Sequence, residues 1–172
     1  MDSEAQRFFF EPAGGIPNSR LPLVFWKGRL PQAHREGQKA QALFRRNGWQ
    51  GTWTATVFPY WHFHTRGHEA LACVSGSARI ALGGDGGIVV DVEAGDVTLI
   101  PAGVGHNRLT ISADFLMAGC YPPGQQGNIV RPGDLDETRI AREIAAVELP
   151  RTDPISGRDD GIVAVWRDLA GV

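Results

Sequence analysis

Three histidines and a glutamate crowd one stretch, PYWHFHTRGHEALACVSG, residues 59–76. His62 and His64 are two apart, and on an extended strand that spacing puts both imidazoles on one side, roughly 6–7 Å apart. The turn TRG reverses the chain, and Glu69 opens the next strand close to both rings. Further along, GDVTLIPAGVGH reads as a strand, a Pro-Gly turn and then His106, which the turn can carry back over the same cavity. Three imidazoles and a carboxylate, without thiolate, suit one divalent transition metal: Fe, Mn, Co, Ni, Zn or Cu. Ca and Mg want oxygen donors. The competing reading is four polar groups at the mouth of a β-sheet.

Strand parity sorts the neighbours. Phe58 and Tyr60 share the parity of His62 and are expected to line the cavity. Leu71 and Cys73 share the parity of Glu69. Cys73 would lie roughly 13 Å along the strand from Glu69, too far to ligate, and reads as a small core residue. Arg108 shares the parity of His106, where it faces an anionic substrate or ends as a solvated strand terminus. Trp61 and Phe63 point the other way, under the arm, a helix or a subunit interface. His68 has the parity opposite to Glu69 and is expected to face outward or sit in the turn; His34 is expected at the surface.

The elements that must position these residues are mostly strands. From Gly51 to Tyr121 short apolar runs alternate with Gly-rich turns: TWTATVFPYWHFH, EALACV, ARIAL, IVVDV, VTLIP, NRLTI and DFLMAGCY. With 22 Gly and 11 Pro among 172 residues, the chain turns often, as an all-β sandwich or barrel must. GGDGG, around Asp85, reads as a hairpin turn. No helix N-terminus follows it to cradle a phosphate.

Before this region, residues 1–50 form an arm and a helix. LPLVFW is a candidate strand for a sheet edge. REGQKAQALFRRNGW is helical, with Ala40, Leu43 and Phe44 on one face and Asn47-Gly48 as a stop. After it, residues 122–172 form an extension. GDLDETRIAREIAAVELP predicts a helix capped by Asp134, with Ile140 and Ile144 on its buried face, and GIVAVW predicts a final strand. The whole reads as a single domain.

A net charge of −2, without a basic cluster, provides no field for nucleic acid or an anionic membrane. No apolar run approaches the ~20 residues of a membrane span. The acidic opening MDSEAQRFFF lacks the apolar core of a secretory signal. A cytoplasmic protein with free thiols at Cys73 and Cys120 is expected.

The pattern H-x-H-x4-E-x6-G is met by His62, His64, Glu69 and Gly76, and G-x5-P-x-G-x2-H by Gly95, Pro101, Gly103 and His106. Together they resemble the two motifs of the cupin superfamily. The resemblance implies a double-stranded β-helix, or jelly-roll barrel, with His62, His64, Glu69 and His106 as metal ligands inside it. Thr56 and Thr110 stand where that family's pattern has glycine and asparagine; neither is a ligand position. GGIPNSRLPLVFWKG, NGW, GHEAL, YPPGQ and LPRTDPISG are similar to the YjlB-like cupins of bacteria. That group brings no activity with it.

Two functions are therefore expected. The first is a metal-dependent enzyme of dioxygenase or isomerase type acting on a small organic molecule, with Tyr60 as the nearest group for proton transfer. The second is a non-catalytic module that holds a metabolite or metal in a sensor or accessory role. A homodimer is expected, with LPLVFW extending a partner's sheet; the alternative is that the arm covers its own barrel.

Overall fold

The structure, a computed structural model, describes residues 4–171; the first three residues of the acidic opening lie outside it. Among the described residues, nine strands form two antiparallel sheets. They are β1 (Gln6–Phe8), β2 (Leu23–Trp26), β3 (Gln50–Ala55), β4 (Glu69–Ser75), β5 (Ser77–Leu82), β6 (Ile88–Glu93), β7 (Val97–Ile100), β8 (His106–Ile111) and β9 (Leu116–Tyr121). The larger sheet runs β1-β2-β7-β4-β9-β3 and the smaller β6-β5-β8. Leu71 and Cys73 of β4 and Met117 of β9 meet Ile80 and Leu82 of β5 and Val92 of β6 between the sheets. The expected jelly roll is therefore present, with a core between two facing sheets.

β4 is apolar on both faces, and each face has its own cover. Leu71 and Cys73 point between the sheets. Ala70, Ala72 and Val74 point outward into a second core under α1 (Gly37–Arg46) and α3 (Ile162–Ala170). α1 buries Ala40, Leu43 and Phe44, the face read from the sequence. A third cluster, Ile16, Phe63, Val130 and Ile140, lies under α2 (Glu137–Ala145), with Trp61 and Ile144 packed against it.

Four expectations about the elements need correction. GIVAVW is not a strand but the start of α3: Ile162, Val165 and Trp166, at helical i, i+3, i+4 spacing, all face the core. Their burial outweighs the β-branched composition that reads as strand. The cap of α2 is Asp136, which accepts from the Arg139 N–H at 2.8 Å. Asp134 instead accepts from the Arg131 N–H, holding the preceding turn. LPLVFW does form a strand, β2, but β1 and β7 of its own chain occupy both of its edges, so none is left for a partner's sheet. Last, the strand expected to run through His64 ends at Ala55. Pro59 has no N–H to give a ladder, and the chain loops until His62 bridges His106 and Phe63 bridges Val130.

Among the described residues no helix is long and apolar enough to cross a membrane. Both cysteines are buried free thiols. The Cys73 thiol is pushed up to about 12 by burial and by the nearby Asp96 charge, which makes it inert core.

Candidate metal centre

Two of the four polar side chains stand where a strand begins, and two lie on the loop before β4. Glu69 is the first residue of β4 and His106 the first of β8. His62 is held by a two-way backbone bridge to His106, with N···O distances of 3.2 and 3.0 Å. The turn 101–105 fixes His64, whose carbonyl accepts the Gly103 N–H at 2.8 Å. Gly103 must be glycine here. Its φ is +94°, and a Cβ would come within 2.4 Å of the Asn18 carbonyl oxygen.

The structure brings His62, His64, Glu69 and His106 together, each no more than 3% exposed. One ligand nitrogen from each histidine lies within 4.8 Å of the other two. Glu69 Oε2 stands 2.9 Å from His64 Nε2 and 3.5 Å from His106 Nε2. Every Nδ1 faces a backbone carbonyl: His62 that of Tyr60 at 3.0 Å, His64 that of Asn128 at 2.7 Å, and His106 that of Val104 at 3.1 Å. A carbonyl can only accept, so each Nδ1 carries the proton. In neutral imidazole that leaves Nε2 as the lone-pair donor. The donor set therefore fits a transition metal: three imidazole nitrogens of defined tautomer and one carboxylate could hold one ion.

The charges agree with such a centre. Burial, then the His106 charge, lower His62 to about 3, so it is neutral at any ordinary pH. Burial opposes charge on His64 too, but the Glu69 carboxylate outweighs it and the net shift is upward. Burial would raise Glu69; His64 and His106 reverse that and hold it well below the usual carboxylate range. Without a cation the pocket thus keeps a buried His64–Glu69 ion pair, and with one the carboxylate has a stronger partner.

Two residues escaped the reading of the sequence. Tyr121, the last of β9, donates its hydroxyl to Glu69 Oε1 at 2.7 Å and accepts from Trp53 Nε1 at 3.1 Å. Burial and then the Glu69 charge push the phenol far above its ordinary range, so it keeps its proton. The close seat of the indole needs Gly119, where a Cβ would fall 2.2 Å from the Trp53 ring. Parity with Met117 could have placed Tyr121 inside. Asn128 carried no such signal. Its carbonyl orients His64, its Oδ1 accepts from the Thr65 and Arg66 N–H groups, and Nδ2 donates to Thr65 Oγ1. Glu143 of α2 clamps the same loop through Thr65 and Arg66.

A cavity of about 290 Å³ opens on the centre. Phe58 and Leu71 are on its wall, as is Thr56. Tyr60 and Arg108 are not. The Tyr60 ring stacks on Phe58 with centroids 5.1 Å apart and lies under the Arg131 guanidinium, 3.7 Å away, so Tyr121 takes the place expected of Tyr60. His68 lies in the turn before β4 with the outward parity expected of it, but it is not at the surface. It is buried on the opposite side of the sheet, its ring centroid 4.7 Å from that of Trp166, beside a separate cleft of about 830 Å³ that holds none of the four clustered residues.

No protein-family model matches the chain. Among solved structures, acireductone dioxygenase from Bacillus anthracis, with a cadmium ion in its active centre, overlaps 63% of this chain and 83% of its own at 16% identity and a TM-score of 0.44. RmlC from Streptococcus suis, in complex with dTDP-D-xylose, overlaps 67% of this chain and 72% of its own at 10% identity and a TM-score of 0.38. Among curated proteins, the uncharacterised protein YjlB of Bacillus subtilis (strain 168) is 35% identical over 167 residues, 96% of this chain and 99% of its own length. Likeness of that depth over both full lengths shows common descent: this chain belongs to the YjlB family.

Proposed function

We propose that the protein is a metal-dependent enzyme, of dioxygenase or isomerase type, that acts on a small organic molecule in the barrel. One observation carries this reading: three histidines whose Nδ1 atoms are all committed to carbonyls aim their remaining nitrogens at one point, beside a buried carboxylate, on the wall of a cavity. A divalent transition metal bound there supplies Lewis acidity at positions that four protein donors leave open. His62, His64, His106 and Glu69 hold and orient it. Tyr121, on the cavity wall, keeps its proton at Oη and donates it in a hydrogen bond to Glu69, positioning the carboxylate. The apolar wall excludes water.

The test is elemental analysis of protein purified without chelators or nickel resin. One equivalent of a transition metal per chain is expected. His106→Ala should lose it while circular dichroism still reports a folded barrel. Unchanged stoichiometry in that variant sinks the assignment. Water-proton relaxation of the Mn²⁺-loaded protein reads the open position: no exchangeable water on the ion means a closed site, and catalysis fails with it.

A further inference from the structure

The cavity joins two unlike chemistries. Its hydrogen-bonding side chains form one connected cluster: the three histidines touch Glu69 or one another, Glu69 takes the Tyr121 hydroxyl, and Tyr121 takes the Trp53 N–H. Away from that cluster the wall is Ala55, Val57, Phe58, Leu71 and Ile129, with Thr56 the one polar side chain among them. Leu71 follows Glu69 on the same face of β4, so the apolar wall begins one step from the carboxylate. Phe58 and Ile129 are each 44% exposed and mark the opening. A molecule therefore enters between apolar groups and meets donors only at the far end.

Among the described residues no lysine or arginine lies on this wall. Arg131 is spent on the Tyr60 ring, and Arg108 lies off the wall. Glu69 is the wall's one acid, and both of its oxygens are engaged by His64, His106 and Tyr121. A charged tail of either sign would leave water without a partner, which is costly. At about 290 Å³ the space sits at the small end of the roughly 300–1,000 Å³ of ligand sites.

Building on the metal reading above, we infer that the substrate is a small molecule with a compact oxygen-donor head for the metal and an uncharged, apolar tail for the wall. The same wall disfavours carboxylate-tailed acids and phosphorylated sugars.

Hydroxamates provide the head, so the tail can be varied alone. Calorimetry on metal-containing protein should show affinity rising about fourfold per added methylene from acetohydroxamate to hexanohydroxamate. Adipic acid monohydroxamate, the same length with a carboxylate end, should bind on the order of tenfold more weakly than hexanohydroxamate. Ile129→Lys, at the exposed opening, should narrow or reverse that gap. A flat series, or a carboxylate tail bound as tightly as the apolar one, overturns the inference. Protein that takes up no transition metal and gives no heat with any hydroxamate sinks the metal reading instead. The wall is then tested by saturation-transfer NMR with head-less probes. Signal from hexanol and none from adipate upholds the apolar tail; the reverse, or equal signal, refutes it.

Discussion

His68 and Glu69 are consecutive, each is 3% exposed, and they face opposite sides of the larger sheet. On the outer side His68 lies between the Trp166 ring and the Ala102 backbone. Its Nδ1 accepts the Ala102 N–H at 3.0 Å, its ring lies against Trp166, and burial lowers it to about 4, so it stays neutral. On the inner side Glu69 is buried equally deeply yet stays charged, because histidines surround it. Burial alone removes charge; burial among converging opposite partners keeps it. The outer face spends its interior on packing, and the inner face gathers donors that could hold a cation.

That contrast can be broken from the outer side first. Trp166 is fully buried over His68, and its Nε1 donates to the Pro22 carbonyl at 2.9 Å. Trp166→Ala should cost about 3–5 kcal/mol in urea unfolding, while metal per folded chain stays constant. A folded variant that loses its metal would show that the two faces are one unit. A smaller effect belongs to the inner face. Tyr121→Phe removes the hydroxyl that holds Glu69 Oε1, and metal affinity should fall on the order of 10–100-fold in competition with a chromophoric chelator. Unchanged affinity would mean the phenol does not hold the carboxylate in place.

The smallest effect is a slope. In the metal-free protein His64 is raised above 6.5 by Glu69, so its ion pair stabilises the fold fully below that value and is lost as pH rises through the raised one. A metal needs His64 neutral at Nε2. Binding at a pH below the raised value should therefore release one proton from His64, and apparent affinity should fall about tenfold per pH unit below that value and level off above it. His62, lowered to about 3, adds nothing to the slope until pH nears 3. Calorimetry in buffers of different ionisation enthalpy counts the proton; none released would remove the ion pair from the account.

Much of this is legible in residue types and spacing. Alternation places Leu71 and Cys73 opposite Ala70 and Ala72. The two motif spacings bring four donors into view, and Gly-rich turns announce the strands. These are local properties, set by the two-residue repeat of a strand and by backbone sterics. What spacing could not supply is which distant groups meet. Asn128 reaches His64 and Tyr121 reaches Glu69 across 64 and 52 residues of chain. α3 is helical although its residues favour strands, because a core 0% exposed at Trp166 needs its i, i+4 face. The tautomers of the histidines, the charge on Glu69 and the absence of a cation on the described cavity wall all depend on neighbours brought in by folding, since burial and Coulomb energy depend on distance in space and not along the chain.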